Sequence, residues 1–181
     1  MATTRENKTI SQFKSQLIGG GARPNLFEVE LTTLPTGIAW PSDNFRYMCK
    51  AAQLPASVIA NIDIPFRGRI FKVAGDRTIE PWSITVINDE DFRIRKAMEE
   101  WVDRIAKLEN NLGATDPSAY MVNAKVFQLG RGATPSSSTN AGNANAVLRE
   151  YEFIDIFPTS VSSIDLSYDS SDTIEEFVVD F

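Results

Sequence analysis

Histidine is missing from all 181 residues, and cysteine occurs once, at position 49. Without histidine there is no Ser-His-Asp or Cys-His relay, and the commonest metal ligand is gone. A single cysteine excludes an intrachain disulfide and suits a reducing compartment. No apolar run approaches the roughly 18 residues of a membrane-spanning helix. Residues 1–16 are polar and charged, with no apolar stretch of the kind a signal peptide needs, so a soluble chain made in the cytoplasm is expected. The triple glycine at 19–21 has no Lys-Ser/Thr after it and is no phosphate-binding loop, and no Cys/His spacing suggests zinc. Basic charge is also in short supply: 18 Lys and Arg stand against 24 Asp and Glu, for a net charge of -6. That balance argues against a sequence-independent DNA clamp, which needs cations to neutralise phosphates. Acidic neighbours such as Glu28/Glu30 and Glu175/Glu176 arise by chance among so many carboxylates. No enzyme, metal or cofactor is expected.

What is present reads mainly as β-structure. Residues 26–32 alternate with period two, Phe27, Val29 and Leu31 on one face and Glu28, Glu30 and Thr32 on the other. Residues 45–50 alternate likewise and place Phe45, Tyr47 and Cys49 together, which predicts a buried, inert thiol. Further strands are expected over 58–64, 70–74, 82–87, 119–129, 147–157, 161–168 and 174–181, with Pro55, Pro65, Pro81 and Pro158 at their margins. One helix is expected over about 89–108. Asn88 is its candidate cap, and Asp89, Glu90 and Asp91 sit in its first turn, favourable to the helix dipole. Ile94, Met98, Trp101, Val102, Ile105 and Leu108 form its apolar stripe. Asn110, Asn111 and Gly113 are its stop signals. Such a stripe packs a core; it is no cofactor box.

Residues 1–21 read as an arm on a glycine hinge, with Ile10, Phe13 and Leu17 as apolar anchors, and residues 22–181 as one domain. Two surface insertions are expected in that domain. One is a Pro- and Gly-bearing loop at about 33–44. The other, at 130–146, is rich in Gly, Ser, Thr, Asn and Ala and too polar to offset its ordering entropy. Charge is unevenly placed. From Glu150 to Phe181 there are nine acidic residues and no Lys or Arg. From Arg46 to Arg77 six cations face two carboxylates. Two solvated sheet faces would explain this, and so would a head-to-tail contact between the basic middle of one copy and the acidic end of the next.

Several separated blocks carry a resemblance. They are Ala22-Arg-Pro-Asn-Leu-Phe, Cys49-Lys-Ala-Ala-Gln-Leu-Pro-Ala, Ala74-Gly-Asp-Arg-Thr, Trp82-Ser-Ile-Thr-Val-Ile-Asn-Asp-Glu, Phe157-Pro-Thr-Ser-Val and Tyr168-Asp-Ser. In this order they resemble the tail tube proteins of T-even-type contractile-tailed phages. The resemblance implies an antiparallel β-sandwich or barrel with one flanking helix, whose inner sheet is completed by neighbouring subunits into a hexameric ring. It implies a virion protein, assembled in the host cytoplasm, that stacks with itself into a conduit for DNA. The implied partners are the tail sheath protein, the baseplate tube-initiator, the tape-measure and tail terminator proteins, and passing double-stranded DNA without specific binding. No membrane anchor is implied. The chain departs from the family by stopping at Val179-Asp-Phe181, where relatives typically run on.

The family's ring has four strands from each of six subunits, and geometry supports that count. Twenty-four strands about 4.8 Å apart and tilted near 45° give a backbone diameter near 50 Å and a bore of roughly 40 Å, ample for a duplex about 20 Å thick. Twelve strands would leave only about 15 Å. Carboxylates facing the bore would keep DNA from sticking, where cations would trap it. The bore candidates are Glu28, Glu30, Glu150, Glu152, Glu176 and Asp180. By the same resemblance the connection from Leu54 to Arg69, with Pro55, Ile62, Arg67 and Arg69, reaches the adjacent ring, as does the arm through Phe13 and Leu17. Gly75 is read as a turn residue, and Asp76 and Arg77 as an ion pair or a contact between subunits. A tube subunit of a bacterial contractile injection device would share the fold but convey a protein effector or puncture a membrane, and a baseplate tube-initiator would share it but form one ring and no polymer.

Overall fold

The computed structural model describes residues 9–17, 20–31, 34–131 and 146–181. Residues 1–8, 18–19 and 32–33, and 132–145 of the expected 130–146 insertion, lie outside the described residues, and so does Gly19 of the hinge. Among the described residues three α-helices and nine strands follow in order. They are α1 (Ile10–Gln16), β1 (Phe27–Leu31), α2 (Ser42–Met48), β2 (Cys49–Ala52), β3 (Ser57–Phe66), β4 (Arg69–Ile79), β5 (Ser83–Ile87), α3 (Arg93–Ile105), β6 (Val122–Leu129), β7 (Val147–Ile156), β8 (Ser160–Val161) and β9 (Glu176–Asp180). The strands form three sheets, ordered β1-β6-β7, β2-β5-β9-β8 and β3-β4. The chain gathers into two compact units, residues 1–28 with 126–151 and residues 29–125 with 152–181.

The first unit holds α1, the start of β1, the end of β6 and the start of β7. Its backbone is tied by Leu129 N–H donating to the Leu26 carbonyl at 2.9 Å and Gly130 N–H to the Ala146 carbonyl at 2.8 Å. The second unit holds the core. Its central strand β5 pairs with β2 on one side and β9 on the other, both antiparallel. The register sets Ile84 opposite Val179 and Val86 opposite Phe177, and all four are buried. Period-two alternation in 82–87 and 176–181 thus places one apolar face inward, as burying one side of a sheet requires.

Helix α3 covers that core with Ile94, Ala97, Met98 and Trp101, all buried. Trp101 closes an aromatic chain: its ring lies 5.9 Å from Phe181, Phe181 lies 5.2 Å from Trp82, and Trp82 stacks on Phe153 at 4.5 Å. The Trp101 Nε1–H donates to the Tyr120 carbonyl at 2.7 Å, so its polar edge is satisfied. Arg95 lies over the Phe177 ring at 5.2 Å and donates to the Ser162 carbonyl at 2.7 Å.

Three local expectations are corrected. The helix starts at Arg93, after Phe92 in the left-handed region (φ 51), and no side chain caps it. Asn88 serves the sheet instead, exchanging contacts with Glu175 through its backbone N–H (2.9 Å) and Nδ2 (2.7 Å). At the other end the helix stops at Ile105, which leaves Leu108 outside it and almost fully exposed. Residues 42–48 are helical where 45–50 reads as a strand. Phe45, Met48 and Cys49 also satisfy three- and four-residue spacing, and Phe45 is buried beside Trp40, 4.9 Å away. Tyr47 consequently points to solvent, and the helix takes up 42–44 of the expected 33–44 loop. Beyond Val161 the expected strand over 161–168 fails. Ser167 turns its side chain and carbonyl onto the N–H groups of Asp169 and Ser170, offering the backbone a local alternative to a ladder.

Cys49 opens β2, buried, and burial pushes its thiol from 9.0 up to about 12. The unfolded thiol ionises near 9.0 and the folded one near 12. The stability held by the neutral thiol is therefore full below pH 9.0 and declines as pH rises from there toward 12. At pH 8 the native thiolate is about a thousandfold scarcer than the unfolded one, from the three-unit separation. A thiol reagent at pH 8 should label urea-unfolded protein at least that much faster than native protein; equal rates would refute the buried placement.

Candidate functional site

The β3–β4 hairpin stands apart in its exposure. Every residue of β3 is exposed, and so is every residue of β4 save Gly75. At ten residues β3 spans about 33 Å. The strands join through Arg67 and Gly68, whose φ values of 46° and 80° are both left-handed, the pattern of a tight hairpin turn matched to strand twist.

Register separates its faces. Ile62 pairs with Val73, Ile64 with Phe71, Phe66 with Arg69 and Val58 with Thr78. Directly paired residues share a face, so Val58, Ala60, Ile62, Ile64 and Phe66 line up with Arg69, Phe71, Val73 and Thr78 on one side. The other side carries Ser57, Asn61, Asp63, Lys72 and Arg77 with Ile59, Pro65, Ile70 and Ile79. One face of the ribbon is therefore apolar but for Arg69 and Thr78, and among the described residues it has no cover. The large residues Val58, Ile62, Ile64, Phe66, Phe71 and Val73 are between 37% and 66% exposed. An isolated two-stranded hairpin is marginal in water, and an exposed apolar face of this length marks an interaction surface.

Gly75 keeps the faces in order. The register shifts between Ile59 and Asn61, so that Gly75 and Asp76 together oppose Ala60. This bulge replaces the expected turn. A Cβ on Gly75 would sit 3.0 Å from the Ala60 carbonyl oxygen and 3.1 Å from Ile62 Cγ1, so close approach of two backbones, and no unusual φ, requires glycine. The expected Asp76–Arg77 ion pair is not among the described residues. Arg77 instead donates through Nε to Ser57 Oγ across the ribbon. Near the tip Arg67 lies over the Phe66 ring at 5.4 Å. The expected connection from Leu54 to Arg69 is thus one full strand and the turn of this hairpin, with Leu54 and Pro55 leading into it.

The carboxylates anticipated for a bore fall on two sheets. Glu28 and Glu30 lie on β1, and Glu150 and Glu152 on β7, in one sheet; Glu176 and Asp180 lie on β9 in another. Glu30 pairs with Arg46 Nη2 at 2.6 Å and Glu176 with Lys50 Nζ at 2.5 Å. Asp180 accepts from Ser83 Oγ. Glu150 and Glu152 are exposed on β7. For Arg46 and Lys50, then, contact between the basic middle and acidic residues occurs inside one chain. Phe13 and Leu17 of the arm are exposed. The apolar partners Ile64, Phe66, Phe71 and Val73 escaped the sequence reading, although alternation across 58–66 and 69–73 carries them. Among the described residues no cluster of three or more His, Cys, Asp or Glu could hold a metal, and no helix is long and apolar enough to cross a membrane.

Comparison with known proteins bears on this arrangement. The model of the phage tail tube protein family matches residues 22–181. Tail tube protein gp19 of Enterobacteria phage T4 is 35% identical over 161 residues, covering 89% of this chain and 88% of its own. Its counterpart from Enterobacteria phage T6 is 34% identical over the same shares. Among solved structures, a chain of the extended sheath-tube complex of PVC, an extracellular contractile injection system, aligns over 96% of this chain and 93% of its own with a TM-score of 0.51. At 13% identity that likeness concerns the fold alone.

Gly75→Val tests the bulge. The substitution should leave the stability of the core within about 1 kcal/mol, because the atoms a Cβ would meet belong to Ala60 and Ile62, both outside the core. In the assembled protein, amide exchange along β3 and β4 should rise at least tenfold. Unchanged exchange would mean that the ribbon accommodates a branched side chain and the close approach is not needed.

Proposed function

Because this chain belongs to the phage tail tube protein family, a structural component of the virion, we propose that it builds the inner tube of a contractile tail as stacked hexameric rings conducting genomic DNA through an acidic bore. The single observation carrying this reading is the uncovered apolar face of the β3–β4 ribbon. A second copy is the natural cover, since every copy presents the same deficit and strand margins that a neighbour can satisfy.

Magnitudes favour a closed ring over a dimer. Covering six half-exposed apolar side chains stabilises by roughly 1 kcal/mol each. Association costs about 4–15 kcal/mol, so one such contact is marginal. In a ring each copy both gives and receives a ribbon, and closure adds a contact without a further loss of freedom. Four strands per subunit in a six-membered ring supply the 24 strands whose bore admits a duplex.

The bore reading rests on charge sign. Glu150 and Glu152, exposed on β7, are the leading candidates; Glu28 shares their sheet. Glu30, Glu176 and Asp180 are engaged within the chain, so their part in a bore is local positioning of β1 and β9. The resting charge of -6 per copy fits a conduit to which phosphate does not adsorb. The sheath, the tube-initiator, the tape-measure and the terminator proteins follow as partners from the role.

Two experiments test this. Ile62→Asp with Ile64→Asp should leave a folded monomer with native near-ultraviolet dichroism and abolish tubes in electron micrographs, where wild-type protein forms long ones. Tubes from the double variant would refute the ribbon as the joint, and isolated wild-type rings would favour a tube-initiator. Glu150→Lys with Glu152→Lys should still polymerise but slow DNA ejection from assembled particles; ejection at the wild-type rate would remove β7 from the bore.

A further inference from the structure

Helix α1 lies ahead of residue 22, where the family match begins. It is well formed locally. Thr9 Oγ1 accepts from the Gln12 N–H while the Gln12 side chain accepts from the Thr9 N–H, a reciprocal capping box. Yet seven residues are too few for a helix to hold in water by itself, and none of its residues is buried. Ile10, Phe13 and Leu17, spaced i, i+3 and i+7, present one apolar face at 75%, 66% and 44% exposure. The arm is also the basic end of an acidic chain. Residues 1–21 hold Arg5, Lys8 and Lys14 against Glu6, and Lys14 has no ion-pair partner among the described residues.

A matching surface lies in the irregular stretch between β8 and β9. Leu166, Tyr168 and Ile174 are among the most exposed apolar residues of the chain. They alternate with Asp165, Asp169 and Asp172, for which the described residues offer no cation. This is the part of the sequence without a single Lys or Arg. The two surfaces are complementary in both respects, apolar triad to apolar triad and cation to carboxylates, and each is exposed among the described residues.

We propose that α1 of one copy docks on the 165–174 segment of an adjacent copy, with Ile10, Phe13 and Leu17 against Leu166, Tyr168 and Ile174 and Lys14 among Asp165, Asp169 and Asp172. The tether permits it. Ten residues lie between Gln16 and Phe27, a reach of up to about 36 Å from helix end to strand start, and Gly20 and Gly21 take φ values of 78° and 87°, a turn conformation open to glycine. The contact is heterologous, since the patch that gives differs from the patch that receives, and it propagates from copy to copy without using up either surface. It rests on the reading of this chain as a self-assembling tube subunit, and it adds a second joint independent of the ribbon.

Disulfide trapping tests it. Phe13→Cys and Tyr168→Cys are made as separate full-length variants, one carrying a size tag, with Cys49 retained and wild-type protein as the control for its silence. Both positions are exposed, so neither variant should disturb folding. Mixed, assembled and mildly oxidised, they should give a mixed dimer on a non-reducing gel, and the double variant a ladder of higher multiples. Lys14→Glu should lower the mixed-dimer yield about tenfold, as should Asp169→Lys with Asp172→Lys, and combining them should restore it. Intact tubes with no mixed dimer, or a double variant that closes only within its own chain, would overturn the docking and leave the ribbon reading standing. Failure to restore yield on charge exchange would overturn the electrostatic pairing. Wild-type protein that never assembles would sink both readings.

Discussion

A two-stranded ribbon has two faces, and the described residues of this chain supply cover for neither. That constraint governs the rest of the structure. Elsewhere each sheet hides one side: Ile84, Val86, Phe177 and Val179 go inward under α3, and Val122, Ala124 and Val126 on β6 are buried with Val29 and Leu31 on β1. The ribbon instead holds Val58, Ile62, Ile64, Phe66, Phe71 and Val73 in water. A monomer that ended its life in this state would carry an aggregation hazard of about 33 Å in length. Covered by a neighbouring copy, the same face would be a joint, and its apolar alternation a specification for that neighbour.

The unit of residues 29–125 and 152–181 is held together by packed rings and ion pairs. The chain of rings from Phe153 through Trp82 and Phe181 to Trp101 links β7, the segment before β5, the end of the chain and α3. The ion pairs Arg46–Glu30 and Lys50–Glu176 consume charge within the chain. Both pairs are partly exposed, so each contributes little to stability. Their effect is on charge, because each neutralises a cation of the basic middle within the chain.

Much of this was legible in the amino-acid sequence. Strict alternation gave β1, β5 and β9, and the spacing of Ile94, Met98 and Trp101 gave α3, because burial on one face imposes period two or 3.6 whatever the surroundings. Residues 45–48 were misread because Phe45 and Cys49 fit both periods, and only burial of Phe45 beside Trp40 decides for the helix. The hairpin tip was hidden because Arg-Gly is a weak turn signal beside Asn-Gly. The bulge at Gly75 was hidden because close approach of Ala60 is a tertiary fact. The tube resemblance stood on separated blocks, and the family match over 22–181 agrees with it. The internal use of Glu30, Glu176 and Asp180 could not be read from spacing, since their partners lie 16, 126 and 97 residues away in sequence.

Amide hydrogen exchange of β3 and β4, compared between dilute single chains and assembled protein, probes the central claim most directly. The account predicts rapid exchange along both strands in the single chain and strong protection after assembly, while β5 and β9 remain protected in both. Slow exchange in the single chain, or ribbon amides that stay unprotected in the assembled protein, would contradict it.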